Sequence, residues 1–381
     1  MAQPRTLVDV HILQTVPPSN LNRDDTGSPK TASYGGVRRA RVSSQAWKRA
    51  TRLHMAESAE GLATGVRSKR VVELLGEEIV GQDPSLEVER AQELAKDVLT
   101  TGGIKIKAPR KGDVEEATYL LFLSRQQVTA LAGLAVEAAR SGEKLDKKVV
   151  QAHFKDKNSI DLAMFGRMVA DVTDLNVDAS VQVAHALSVH AVETEYDYFT
   201  AVDDHKADDA DEDAGAGMIG TVEFNSSTLY RYATIDADLL ARNLGEGAPV
   251  GEAVAAFVTS FARSMPSGKQ NTFANGTLPD AVVVSLRTDQ SVSWVGAFEE
   301  PVRAGIEGGR ITRAAEELAR YAKETTDAFG GAPERTWVTA VGAKGAALDQ
   351  LGERVSFDEL TGTLAAVVEE RTRAGQPVGA A

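Results

Sequence analysis

The sequence predicts an α+β fold, a sheet-bearing domain interrupted by a long and mostly helical insertion. Three observations predict it. Strand-like segments gather at the two ends of the chain, at Leu7–Gln14 and again from 220 to 341. Between them, from about 60 to 175, apolar residues recur mostly at helical spacing. No internal repeat divides the 381 residues. Strands at both ends with helices between suit one interrupted sheet domain better than two domains in series.

The elements follow in order. Leu7–Gln14 reads as a largely buried strand, and the turn-rich stretch from 17 to 36 as a loop. Arg38–Val42 is a short second strand. Ser43 or Ser44 then caps a helix from Gln45 to about Glu57, as a simple cap without a capping box. Helical spacing continues over Val71–Ile79, Leu86–Leu99, Gln126–Ala139 and Lys144–His153, with a strand at Tyr119–Leu123 and a basic hairpin or loop at 102–113. A helix is expected over Ala179–Val192. The acidic, low-complexity segment Asp203–Gly217 reads as disordered or as a hairpin tip. Residues 220–236 read as two strands parted by Asn225–Ser227, followed by helices at 237–243 and 249–264. Strands at Ala281–Arg287 and Thr336–Val341 flank a helix at Arg310–Ala328, and Phe357–Ala374 is the last helix.

Composition narrows the function. Cysteine is absent, which excludes disulfides, thiol nucleophiles and cysteine zinc sites and fits a reducing cytoplasm. No apolar run approaches a membrane span in length. The net charge of −13 argues against a polyanion partner until its distribution is read. From Thr26 to Ala56 there are seven Lys/Arg (Lys30, Arg38, Arg39, Arg41, Lys48, Arg49, Arg52) and no Asp or Glu. From Asp203 to Asp213 there are seven acids against Lys206. Exposed charges are screened beyond about 8–10 Å, so the local excess governs binding.

The segment YGGVRRARVSSQAWKRATR, Tyr34–Arg52, carries the strongest signal. Gly35-Gly36 allows positive φ or a close backbone approach to a ligand. A helix starting at Ser43/Ser44 offers unpaired N–H groups and hydroxyls to a phosphate. Ser44, Lys48 and Arg52 fall one turn apart on one face, with Gln45 and Arg49 in the next row. A solvated basic face is the bland alternative, but it must explain thirty-one residues without an acid. The chain is therefore expected to bind nucleic acid, RNA in particular, without acting as an enzyme.

These residues also carry a resemblance. LNRDD (21–25), YGGVRRARVSSQAWKRA (34–50), DLAMFGRMVAD (161–171), VQVAHALSVH (181–190), FTAVDD (199–204), DEDAGAGMIGTVEF (211–224) and YRYATID (230–236) are similar to motifs of the CasC family. That family is the backbone subunit of the type I-E CRISPR surveillance complex, Cascade. The resemblance runs from residue 7 to about 290. It implies a hand-like protein, with an RNA-recognition-motif-like (ferredoxin-like) palm over 1–58 and 180–381. Helical fingers would span 59–179, and a β-hairpin thumb about 195–223. Several copies, six in expectation, would stack head to tail along a CRISPR guide RNA beside other Cascade subunits and present it to target DNA, with no cofactor and no membrane.

On this chain the resemblance assigns guide-RNA contact to Arg23, Lys30, Ser43, Gln45, Lys48 and Arg52; Arg41, Ser44 and Arg49 join them from the basic stretch itself. It implies an apolar wedge between bases at Met164 or Met168, opposed by Phe199 of the thumb with Thr200 beside it. Lys105, Lys107, Arg110 and Lys111, with Lys144, Lys147 and Lys148, are candidates for a sequence-blind DNA track, although single exposed lysines are ordinary surface. The enzyme alternative is a metal-dependent ribonuclease using Asp24 or Asp25. An Asp pair in LNRDDTG more often makes Asx turns or orients Arg23. His11, His185 and His190 are expected to pack or hydrogen-bond.

Overall fold

The computed structural model describes residues 5–58, 62–109, 114–201, 218–306 and 309–374. The chain divides into two compact units. One comprises Met1–His54, Val183–Thr234 and Phe257–Leu364, and the other Met55–Gln182, Ile235–Ala256 and Ala365–Ala381.

The first unit is built on a sheet. Its central strand, β1 (Leu7–Ser19), is buried over almost its whole length and pairs antiparallel with Ala281–Arg287. The order across the sheet is Glu353–Arg354, Arg335–Ala340, Ala281–Arg287, β1, Met218–Asp236, Ala186–Ser188, β3 (Val37–Val42) and β2 (Thr31–Tyr34). A central position explains the apolar crowding of β1, and Asp9, His11 and Gln14 within it each have a side-chain partner. Asp9 accepts from the Tyr232 hydroxyl at 2.9 Å and the Val292 N–H at 2.9 Å. His11 pairs through Nδ1 with the Tyr230 hydroxyl at 2.8 Å and stacks on Trp294 at 3.8 Å. The helix Ile311–Phe329 lays Ile311, Ala315, Leu318 and Ala322 on a core that includes Leu13, Val283 and Val338.

The second unit has its own core, formed by the helices Val71–Gln82, Val88–Thr101, Arg125–Ser141 and Lys147–Lys155. Leu75, Ile79, Val98, Leu131 and Phe154 are fully buried in it. Ser124 and Gln127 form a reciprocal capping box at the head of the third of these helices. Two small sheets join Gly65–Ser68 to Leu121–Ser124 and Ile106–Lys107 to Glu116–Ala117.

Three expectations need correction. The helix expected over Ala179–Val192 is two short strands, Val181–Val183 and Ala186–Ser188, the latter paired with β3 and with Leu229–Tyr230. Burial of Ala186 and Ser188 follows a period of two there, and pairing on both sides outweighs local helix preference. The two strands expected in 220–236 are one strand, Met218–Asp236, whose polar Asn225–Ser227 interrupts nothing. The loop expected over 17–36 contains β2, which pairs with β3. The acidic stretch Asp203–Asp213, with Arg110 and Lys111, lies outside the described residues; the strands flanking the acidic stretch, Glu195–Ala201 and Met218–Asp236, pair antiparallel.

Candidate nucleic-acid interface

β2 and β3 meet at Gly35-Gly36, both at positive φ, a two-residue turn of the kind that suits the twist of a hairpin. A Cβ on Gly35 would stand 1.7 Å from the Glu299 carbonyl oxygen. The close approach expected of this glycine is therefore to the protein's own backbone and not to a ligand. Arg39 is likewise withdrawn from the basic surface. It is fully buried and donates to four backbone carbonyls, those of Tyr34, Ser188, Phe298 and Glu299.

Arg41, two residues on, stays half-buried. It donates through Nε to the Thr31 carbonyl at 3.3 Å and lies 3.5 Å from His185 Nδ1. Lys30 comes beside it through backbone bonds: its N–H donates to the Asn22 carbonyl, and its own carbonyl accepts from Arg41. The preceding loop is shaped by Asp24, whose Oδ1 accepts from the Thr26 N–H at 2.9 Å, the Thr26 hydroxyl at 2.7 Å and the Ser28 N–H at 3.0 Å. The Thr26 hydroxyl and these N–H groups hold the carboxyl below its ordinary range. Arg23 is exposed at the start of this loop, bridged through its backbone to Pro29.

α1 (Ser44–Ser58) begins here, with Ser43 as its cap. The expectation of unpaired N–H groups at its start is not met. The Ser43 N–H donates to Asn22 Oδ1 at 2.9 Å, the Ser44 N–H to His185 Nδ1 at 3.1 Å, and the Gln45 N–H to Ser43 Oγ at 3.3 Å. Capping groups supplied from the loop and from 185 satisfy the donors that a free helix end would expose. A phosphate brought to this end would meet side chains instead. His185, exposed beside Arg41 and Lys30, hydrogen-bonds as expected, and its partner, the Ser44 N–H, is one that no local motif names. Burial, Arg41 and Lys30 together lower its pKa, which keeps the ring neutral and able to accept.

Along α1, Trp47 is fully buried beneath the Arg231 guanidinium, which lies 3.6 Å over its ring and donates to Gln14 Oε1 at 2.6 Å. That contact fixes the rotation of the helix. Gln45 and Arg49 are exposed, and Ser44, Lys48 and Arg52 are half-buried on the adjoining face. Partial burial lowers the Lys48 pKa. Among the described residues no carboxylate forms an ion pair with Arg23, Lys30, Arg38, Arg41, Lys48 or Arg49.

The remaining candidates separate. Met164 is fully buried in the helix Ile160–Phe165, so it cannot touch a base in this conformation. Met168 is 81% exposed. It stands between two fixed neighbours: Arg167 donates to the Leu175, Phe122 and Phe154 carbonyls, and the Val169 N–H donates to Asn176 Oδ1 at 2.6 Å. Phe199, 39% exposed, lies with its ring against Gly220, the residue opposite it in the hairpin, and Thr200 beside it is exposed. Lys105 pairs with Asp171 at 2.6 Å, which lessens its attraction for a polyanion. Lys107, Lys144, Lys147 and Lys148 are exposed.

The family model described as CT1975-like protein matches residues 8–363. Among solved structures, a chain from "CRISPR RNA-guided surveillance complex, pre-nicking" is 34% identical, with a TM-score of 0.83, over 95% of this chain and 100% of that one. A chain from "CRISPR RNA-guided surveillance complex" is 29% identical, with a TM-score of 0.74, over 95% of this chain and 99% of that one. No curated protein matches. With a match across so much of its length, the chain belongs to the CT1975-like protein family.

Proposed function

We propose that this chain serves CRISPR defence as a guide-RNA-binding backbone subunit of a surveillance complex, of the CasC kind found in type I-E systems. Copies stack head to tail along the guide, since a heterologous contact that does not close gives an open helix. The guide is held by its phosphates and sugars, so its bases stay free to pair with target DNA. Exchange of a DNA duplex for a heteroduplex is nearly balanced, and a preordered guide tips it.

One observation carries the reading. In a chain of net charge −13, a contiguous set of cations from Arg23 to Arg49 has no carboxylate partner among the described residues. Likeness to chains of RNA-guided complexes supports the choice of RNA. The subunit is non-catalytic in this reading, because the Asp24 carboxylate is engaged in shaping its own loop.

Two experiments test it. Assembling the full chain on guide RNAs of increasing length and weighing the particles should show copy number rising with length; one copy at every length would overturn the filament. Incubating the complex with Mg²⁺ should leave the guide and a complementary RNA intact. Cuts that disappear in Asp24→Ala or Asp25→Ala would make the chain a nuclease.

A further inference from the structure

A small polar cleft of ≈20 Å³ opens where the 20–30 loop, β3 and the strand Met218–Asp236 meet. Six of its residues matter: Ser19, Asn22, Lys30, Arg41, Asn225 and Ser227. Ser19 is 4% exposed, and Asn225 and Ser227 are each 7% exposed. Among the described residues none of these three side chains has a hydrogen-bond partner. Their polar atoms reach the surface of the cleft, where a bound group can take the place of the water that otherwise solvates them.

Resting on the RNA-binding reading above, we infer that this cleft receives a ribose 2′-hydroxyl of the bound strand and makes the protein selective for RNA over DNA. Size points to a hydroxyl. The cleft admits about one water-sized group, too little for a whole phosphate or a base edge. Chemistry points the same way. A phosphate oxygen only accepts, and Lys30 and Arg41 can satisfy it with donors alone. The cleft adds groups of both kinds: the Asn225 carboxamide and the Ser19 and Ser227 hydroxyls each donate and accept. Asn22 contributes its NH₂, because its Oδ1 already accepts from the Ser43 N–H at 2.9 Å. A 2′-hydroxyl is both donor and acceptor, and it is the group that distinguishes RNA from DNA at a given sugar. With Lys30 and Arg41 lining the same cleft, a strand whose phosphates rest on them brings its sugar to this opening.

The test compares one unstructured single strand made as RNA, as DNA and as 2′-O-methyl RNA, bound to the full-length chain and to Asn225→Leu and Ser227→Ala. The unmodified chain should prefer RNA to both analogues. Each variant should lose about three- to tenfold in RNA affinity, one hydrogen bond's worth, with DNA affinity unchanged. Equal losses for RNA and DNA, or no loss, would overturn the cleft's assignment. A thermal melt accompanies each variant. If Asn225→Leu does not fold, Ser227→Ala, which removes one hydroxyl, decides alone. A chain that binds RNA and DNA equally refutes the cleft and leaves RNA binding standing. A chain that binds neither refutes both.

Discussion

α1 and the helix Ile311–Phe329 both carry basic residues, and their fates differ. Arg320 lies between two acids of its own helix, bonded to Glu317 at 2.6 Å and to Glu324 at 2.8 Å. These bonds raise its pKa above the ordinary value. On α1, Lys48 and Arg49 have no carboxylate among the described residues. Arg39, one strand earlier, is neither paired with an acid nor exposed; it staples backbone carbonyls. A count of cations therefore overstates a binding surface. The footprint for a polyanion is the subset left both exposed and unpaired, and it coexists with an acidic chain because the acids lie elsewhere in the sequence.

Removing the staple should have the largest effect. Arg39→Met leaves four carbonyls without their donor, and we expect about 3 kcal/mol or more of lost stability in a denaturant titration. The salt dependence of RNA binding by the folded fraction should not change. A salt dependence that did fall would place Arg39 in the footprint and erase the distinction.

The two methionines repeat the contrast in the second unit. Met164→Ala should cost about 2–5 kcal/mol of stability as a buried cavity. Met168→Ala should cost within about 0.5 kcal/mol, as an exposed change, while weakening RNA binding or base ordering. Equal stability losses would mean that Met168 is packing and not a probe of the bound strand.

His185 offers a pH test of the same cluster. Burial, Arg41 and Lys30 lower its proton affinity in the free chain, and a neighbouring phosphate raises it. Binding then takes up protons, so RNA affinity should rise as pH falls toward the histidine's lowered pKa. The stability of the free chain moves the opposite way, because the neutral ring caps Ser44 and that stability is lost as pH falls through the depressed pKa. His185→Gln should flatten the affinity profile; an unchanged profile would remove the histidine from the interface. The smallest effect belongs to Arg320→Gln, expected to change stability by about 0.5 kcal/mol or less and RNA affinity not at all.

Much of this was legible in the sequence. The strand at Leu7, the helices at Val71, Arg125, Ile311 and Phe357, and the start of α1 follow from periodicity and capping, which are local signals. The basic stretch announced itself by the absence of acids. What stayed hidden depends on pairing across long sequence separations. Ala186–Ser188 became a strand because β3 and Leu229–Tyr230 hold it. Arg39 looked like surface until carbonyls more than 250 residues away claimed it. Met164 and Met168 have equal claims in sequence, and only the turn at Gly166, with Arg167 anchored behind it, exposes one and buries the other. Asn22 and His185 lie in segments that the sequence singled out, but the N–H groups of Ser43 and Ser44 that they cap are distant along the chain, and no local pattern names that pairing.

The most direct measurement is the salt dependence of RNA affinity for the unmodified chain and for Lys48→Glu. If α1 lies along the phosphate backbone, the variant should bind about tenfold or more weakly at physiological salt, and its log–log slope should be shallower by about 0.7 for each phosphate left without its cation. An identical slope with unchanged affinity would mean that the unpaired cations of α1 do not hold the RNA.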